Sequence, residues 1–184
     1  MRLFLALDVP PSVRDALEAA VAPLREARDG LSWTRAENWH VTLAFLGEVA
    51  PGPDPVVAAV EGEVATASPI GLRLDGAGRF GRRILWMGVA DDPPGAVAAL
   101  GERLQQALAA QDLPVDRKPV RPHLTLARVR GRGRGAVTPA LVDDVPVAPG
   151  SWTASTVEVV ASHLGAGGAR YEVVASVPLP ASRR

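Results

Sequence analysis

The sequence predicts an α+β fold in which a strand–helix–strand unit occurs twice and most strands pair antiparallel. Three observations carry this. The tetrad His40-Val41-Thr42-Leu43 recurs as His123-Leu124-Thr125-Leu126. Each copy is preceded by an apolar strand and an amphipathic helix, with 36 residues from Phe4 to His40 and 38 from Leu85 to His123. The other segments alternate apolar and polar residues between Gly- and Pro-rich turns, as strands do. A single H-x-T arises easily by chance, whereas two H-x-T-L copies in register within matching contexts indicate an internal duplication.

Taken in order, RLFLALDV is a strand that stops at the Pro10-Pro11 pair. Ser12 then serves as the N-cap of a helix, with Asp15 three residues on. Val13, Leu17, Val21 and Leu24 form its apolar stripe, which ends near Gly30. The first H-x-T-L strand follows in WHVTLAFLG. The segment from Ala50 to Pro69 is a further helix whose start is pushed past Pro51, Pro53 and Pro55. IGLRLDGAGRF and RRILWMGVA are strands, Asp91 to Gly95 is a turn, and Val97, Leu100, Leu104 and Leu108 repeat at helical spacing. After the break QDLPVDRKPVRP comes the second H-x-T-L strand, HLTLARV. STVEVVASHL, a Gly-rich hairpin GAGGA and RYEVVASVPL close the chain.

Composition narrows the chemistry. At 184 residues, 47% hydrophobic and 22% charged, the chain is globular and long enough to bury a core. No run approaches the roughly 18–20 apolar residues of a membrane span. The apolar stretch of MRLFLALDVPPS is too short for a signal peptide, so it reads as the first strand of a cytoplasmic protein, expected as a monomer. The absence of cysteine removes disulfides, thiolate nucleophiles and cysteine-based zinc sites. With three histidines and no H-x-x-x-H or HExxH pattern, no metal and no cofactor is expected. The net charge is zero, which argues against non-specific coating of nucleic acid. The charge is nevertheless uneven. Arg117, Lys118, Arg121, Arg128, Arg130, Arg132 and Arg134 fall in one stretch without an acidic residue, which suits either a local anionic partner or a solvated basic loop.

In an extended strand, residues i and i+2 share a face, so His40 pairs with Thr42 and His123 with Thr125. If two similar lobes face each other, the four side chains converge on one cleft. Two imidazoles then serve as general acid and general base, and two hydroxyls grip the non-bridging oxygens of a tetrahedral group between them. Opening of a strained 2',3'-cyclic phosphate needs one acid and one base, without a covalent nucleophile. The near-symmetry leaves open which histidine takes which role. Phe45 and Arg128 both lie five residues after a histidine, an odd offset that turns them to the opposite face unless a bulge, strand end or neighbouring chain intervenes. By composition alone Phe45 is a core side chain.

The two tetrads, the segment GRFGRRILWMGV between them and the closing SHLGAGGARYEVVASVPL resemble the 2H phosphoesterases, and within them the bacterial and archaeal RNA 2',3'-cyclic phosphodiesterases, also called 2'-5' RNA ligases. The resemblance covers nearly the whole chain. It implies one domain over 1–184 built as two interleaved, pseudo-symmetric lobes, with antiparallel sheets lining a central cleft and helices outside. It also implies hydrolysis of RNA 2',3'-cyclic phosphate ends, or of nucleotides carrying that group, to 2'-phosphomonoesters, with reversible 2'-5' joining in some members. By this resemblance His40 is the proton donor and His123 the proton acceptor. Thr42, Thr125 and Arg128 bind the phosphate, and Phe45 stacks on a base or lines the cleft. A nucleotide-binding module without turnover, and an enzyme for a smaller cyclic phosphate, are the alternatives.

Other signals carry less. GAGRFG satisfies G-x-G-x-x-G but precedes a strand, where a dinucleotide site needs a helix. Ser162 and His163 are neighbours on a strand and point apart, so they form no hydrolase dyad, and His163 belongs beside the terminal hairpin. Trp33, Trp39, Trp86 and Trp152 are partly buried anchors, with Trp39 bordering the cleft beside His40.

Overall fold

The computed structural model describes residues 1–28, 30–50, 52–130, 136–165 and 168–180. In chain order the elements are β1 (Arg2–Leu7), α1 (Pro11–Ala27), β2 (Leu31–Trp33), a 3₁₀ turn (Ala36–Asn38), β3 (Val41–Glu48), α2 (Asp54–Val64), β4 (Ile70–Phe80), β5 (Ile84–Asp92), α3 (Ala96–Ala110), β6 (His123–Val129), α4 (Pro139–Asp143), β7 (Ser151–Ala154), β8 (Thr156–Gly165) and β9 (Gly168–Pro178). Two antiparallel sheets result, ordered β3-β1-β8-β9 and β2-β6-β5-β4-β7. Apart from the short β2, the second sheet matches the first strand for strand as β6-β5-β4-β7. In both, the H-x-T-L strand pairs with the strand that precedes its helix.

Hydrophobic burial accounts for the layering. In β1, Leu3, Leu5 and Leu7 enter the main core, while Phe4 and Ala6 enter a small second cluster with Val160 on the opposite face, with Tyr171 packed against it. A strand buried on both faces reads as the continuous apolar run seen here. Val13, Leu17 and Val21 of α1, and Val97, Leu100, Leu104 and Leu108 of α3, are buried as their spacing predicts. The start of α1 differs from the prediction. The helix begins at Pro11 with extended Pro10 as N-cap and no side-chain cap, so Ser12 lies inside the first turn. Proline suits this position because its φ is already helical and its missing N–H is one the first turn leaves unpaired. For the same reason α2 starts at Asp54 with Pro55 in its first turn, not after it. At α3 the Asp91 carboxylate accepts from the N–H groups of Gly95 and Val97, at 3.1 and 2.7 Å, so the predicted turn also caps the helix.

The short β2, β7 and α4 have no counterpart in the sequence prediction, since three to five residues display too little periodicity. The tip of the GAGGA hairpin, together with Arg132 and Arg134, lies outside the described residues.

Within the second sheet, β4 arches over β5. Leu74 faces Val89 and Ala77 faces Met87, so Asp75 and Gly76 together oppose Gly88. A Cβ at position 88 would lie 2.3 Å from the Asp75 carbonyl oxygen, a backbone atom that cannot swing aside. Gly88→Ala is therefore expected to destabilise the fold by about 1–3 kcal/mol, the usual range for overpacking. Urea unfolding should show a lower midpoint at unchanged m; an unshifted midpoint would mean that the arch yields freely.

Candidate active site

The two H-x-T-L strands carry the same irregularity at the same place. In β3 the pairing with β1 passes from Thr42 opposite Ala6 to Ala44 opposite Leu5, skipping Leu43. In β6 the pairing with β5 passes from Thr125 opposite Trp86 to Ala127 opposite Leu85, skipping Leu126. Each extra residue is a β-bulge, and it places two consecutive side chains, Leu43-Ala44 and Leu126-Ala127, in the core. The residue that follows each bulged pair is thereby shifted by one step in the alternation, and in β3 a second irregularity skips Leu46 after Phe45. Phe45 faces Phe4 and Arg128 faces Ile84, on the same sides as the Thr–His pairs. The odd offset of Phe45 and Arg128 is thus cancelled by a bulge in each strand.

Strands β3 and β6 come into contact. His40, Thr42, Phe45, His123, Thr125 and Arg128 line a single cavity of about 90 Å³. All six residues singled out in the sequence are therefore brought together. Phe45 is 50% exposed, so it is a cleft residue and not the core side chain that composition suggests. The bulge, not the hydrophobicity, decides its side. Trp39 goes the other way: at 1% exposure its ring belongs to the main core and anchors the residue before His40, touching only a small cavity behind the imidazole. His163 bonds Glu172 at 3.1 Å across the β8–β9 pair, near the hairpin and outside this cavity.

Both imidazoles are held in the same way. His40 Nδ1 lies 2.8 Å from the Asn38 carbonyl oxygen, and His123 Nδ1 lies 2.6 Å from that of Arg121, two residues upstream in each case. A carbonyl only accepts, so Nδ1 carries the proton and Nε2 is left as the working nitrogen. Aromatic rings complete each socket. His40 packs on Phe4 at 4.7 Å and on the edge of Tyr171 at 5.3 Å; His123 meets Phe80 at 4.9 Å and Trp86 at 6.2 Å.

These surroundings disfavour positive charge on either ring. Burial, followed by the positive fields of His123, Arg128 and Arg14, lowers the His40 pKa from 6.5 to about 4, against the opposing bond to Asn38. His123 is lowered too, by burial and then by Arg128, against its bond to the Arg121 carbonyl. Arg128 has no ion-pair partner among the described residues, so its charge projects into the site. Two imidazoles that disfavour protonation beside the Arg128 guanidinium make the cleft electrostatically complementary to a phosphate.

Thr34, Asn38 and Tyr171 line the same cavity and Phe80 lies beside His123, although none of them is marked by the H-x-T-L pattern. Tyr171 is the chain's one tyrosine, which was a usable signal. The carbonyls that orient the histidines were not readable, because Asn38-Trp39 and Arg121-Pro122 share no side-chain chemistry and the contact is made by backbone. Among the described residues no group of three or more His, Asp or Glu side chains is placed to hold a metal ion, and no helix is long and apolar enough to cross a membrane.

The chain is similar to known proteins over most of its length. It is 28% identical over 181 residues to an RNA 2',3'-cyclic phosphodiesterase of Geobacillus stearothermophilus, an alignment that covers 96% of this chain but only 56% of that protein. It is 32% identical over 131 residues to the Escherichia coli RNA 2',3'-cyclic phosphodiesterase, covering 69% of this chain and 71% of that one. The crystal structure of TT0787 of Thermus thermophilus superimposes over 100% of both chains with a TM-score of 0.78 and 27% identity. A model of the 2'-5' RNA ligase superfamily matches residues 13–166, a span that holds both bulged H-x-T-L strands and the two histidines that line the shared cavity. The chain belongs to the 2'-5' RNA ligase superfamily, among the 2H phosphoesterases.

Proposed function

We propose that this protein hydrolyses RNA 2',3'-cyclic phosphate ends to 2'-phosphomonoesters by two-histidine acid–base catalysis, with the whole chain acting as one bilobal, monomeric domain. The observation that carries the reading is the convergence on a single small cavity of two identically tethered imidazoles, two threonines and one arginine that has no ion-pair partner among the described residues. The names of the relatives in Geobacillus and Escherichia support the substrate.

Water attacks phosphorus and gives its proton to Nε2 of His123. The P–O3' bond breaks, and the 3'-oxygen takes a proton from Nε2 of His40. The assignment of donor and acceptor follows the family resemblance. Thr42, Thr125 and Arg128 bind the non-bridging oxygens as their charge grows in the transition state. Replacement of water by a 5'-hydroxyl of a second RNA in the same geometry forms a 2'-5' linkage. His40 must be protonated to act as donor although burial disfavours it. The cyclic phosphate itself supplies the compensating negative charge, so binding raises the His40 pKa.

The test is EDTA-treated protein with an oligoribonucleotide ending in 2',3'-cyclic phosphate. His40→Ala and His123→Ala should each lower kcat by ~10²–10⁴, and Thr42→Ala or Thr125→Ala should cost about tenfold or more. The product should carry a 2'-phosphate. Binding without turnover by the wild type would instead make the protein a nucleotide-binding module.

A pH profile checks the electrostatics independently. The reaction needs one proton on the histidine pair, and both pKa values lie below 6.5 in the free protein. kcat/KM, which reports the free enzyme, should therefore fall about tenfold per pH unit above 6.5. kcat, which reports the complex, should hold to higher pH. Coincident profiles would show that the bound phosphate does not raise the His40 pKa.

A further inference from the structure

Beside the catalytic cavity lies a larger one of about 400 Å³, within the ~300–1,000 Å³ range of small-molecule sites, and it opens onto Thr42 and His123. Its walls include Phe45, Phe80, Pro119 and Val120, with Lys118 and Arg121 among its lining residues. The wall from residue 114 to 122, between α3 and β6, is an ordered strap and not a free loop. Asp116 N–H donates to the Phe45 carbonyl at 2.8 Å. The buried Gln105 of α3 donates from Nε2 to the carbonyls of both Leu43 and Lys118, at 3.1 and 3.2 Å. Val120 packs so closely on α3 that a Cβ at Gly101 would lie 2.5 Å from its Cγ2.

The charges on the two sides of the cleft differ. Behind His40 the cavity is smaller, about 160 Å³, and contains Asp8, Glu37 and Glu158, with Arg14 already paired to Asp8 at 2.5 Å. On the strap, Lys118 pairs with Asp116 at 2.7 Å and Arg121 has no ion-pair partner among the described residues. An anionic chain leaving the catalytic cavity is repelled by the first side and attracted by the second.

We infer that the strap is a binding site for the nucleotide that bears the cyclic phosphate and for the phosphodiester on its 5' side. The base occupies the slot walled by Phe45 and Phe80, where an aromatic face accepts any base. Arg121, aided by Lys118, binds the phosphodiester, so the RNA leaves the site over the strap and not past Tyr171. This rests on the function proposed above and adds that the protein recognises a polynucleotide end above a free nucleotide.

The experiment compares Kd for a 2'-phosphate-ended dinucleotide with Kd for the corresponding mononucleoside 2'-phosphate, in wild type, Lys118→Ala, Arg121→Ala and Arg121→Lys. The wild type should bind the dinucleotide more tightly, and this preference should shrink about tenfold in Arg121→Ala, less in Lys118→Ala, with Arg121→Lys restoring much of it. The preference should also weaken as salt rises, with a shallower slope in Arg121→Ala. Equal affinity of the wild type for the two ligands would overturn the inference, as would an Arg121→Ala loss that is the same for both. Failure of the wild type to turn over a cyclic phosphate would refute the enzymatic reading, while these ratios would still decide the strap.

Discussion

One constraint governs this molecule: each of its two functional strands must present a histidine, a threonine and a third residue at the fifth position on one face, although a regular strand sends odd offsets to the other side. The bulges at Leu43 and Leu126 resolve it. A bulge frees a carbonyl from the ladder, and a buried carbonyl needs a donor. The Leu43 carbonyl accepts from Gln105 of α3, and the Leu126 carbonyl accepts from Thr34 N–H at 2.8 Å. Elements outside each strand pair thus stabilise the irregularity that builds the site. Thr34 itself lines the catalytic cavity, so the donor that stabilises one bulge is also part of its product.

The second organising feature is how the rings are held. Pinning Nδ1 to a carbonyl two residues upstream needs no particular side chain, so the two copies diverge freely there while keeping the same tautomer. Aromatic neighbours then exclude water. That exclusion acts in two ways: it penalises an imidazolium beside Arg128 and a second histidine, and it strengthens the attraction of an imidazolium for any anion near it.

The duplicated halves are not equivalent in their surroundings. Helix α3 follows β5 of one sheet, yet it packs on β3 of the other and bolts the 114–122 strap alongside it. The two sheets therefore share their supports, and the cleft between them is walled unequally: narrow and acidic behind His40, wide and basic beside His123. The two near-symmetric His–Thr pairs therefore sit within an asymmetric cleft.

Local pattern was enough to reveal the strands around Phe4, His40, Leu85 and His123, the stripes of α1 and α3 and the pairing of His with Thr, because periods of two and 3.6 residues are written in consecutive side chains. Pro11 misled the start of α1 only by a residue or two, since proline both ends strands and opens helices. The side of the strand on which Phe45 and Arg128 emerge was not legible, because a bulge is a property of pairing between strands. Nor were the carbonyls on Nδ1, the rings of Tyr171 and Phe80, or the strap held by Gln105, all of which join residues distant in sequence or act through backbone. The sequence by itself determined which chemical groups this protein has and how they repeat. Tertiary structure alone decided that they share one cavity, which nitrogens face it and how charge is distributed on its two sides, because those depend on register and burial between elements that no local pattern encodes.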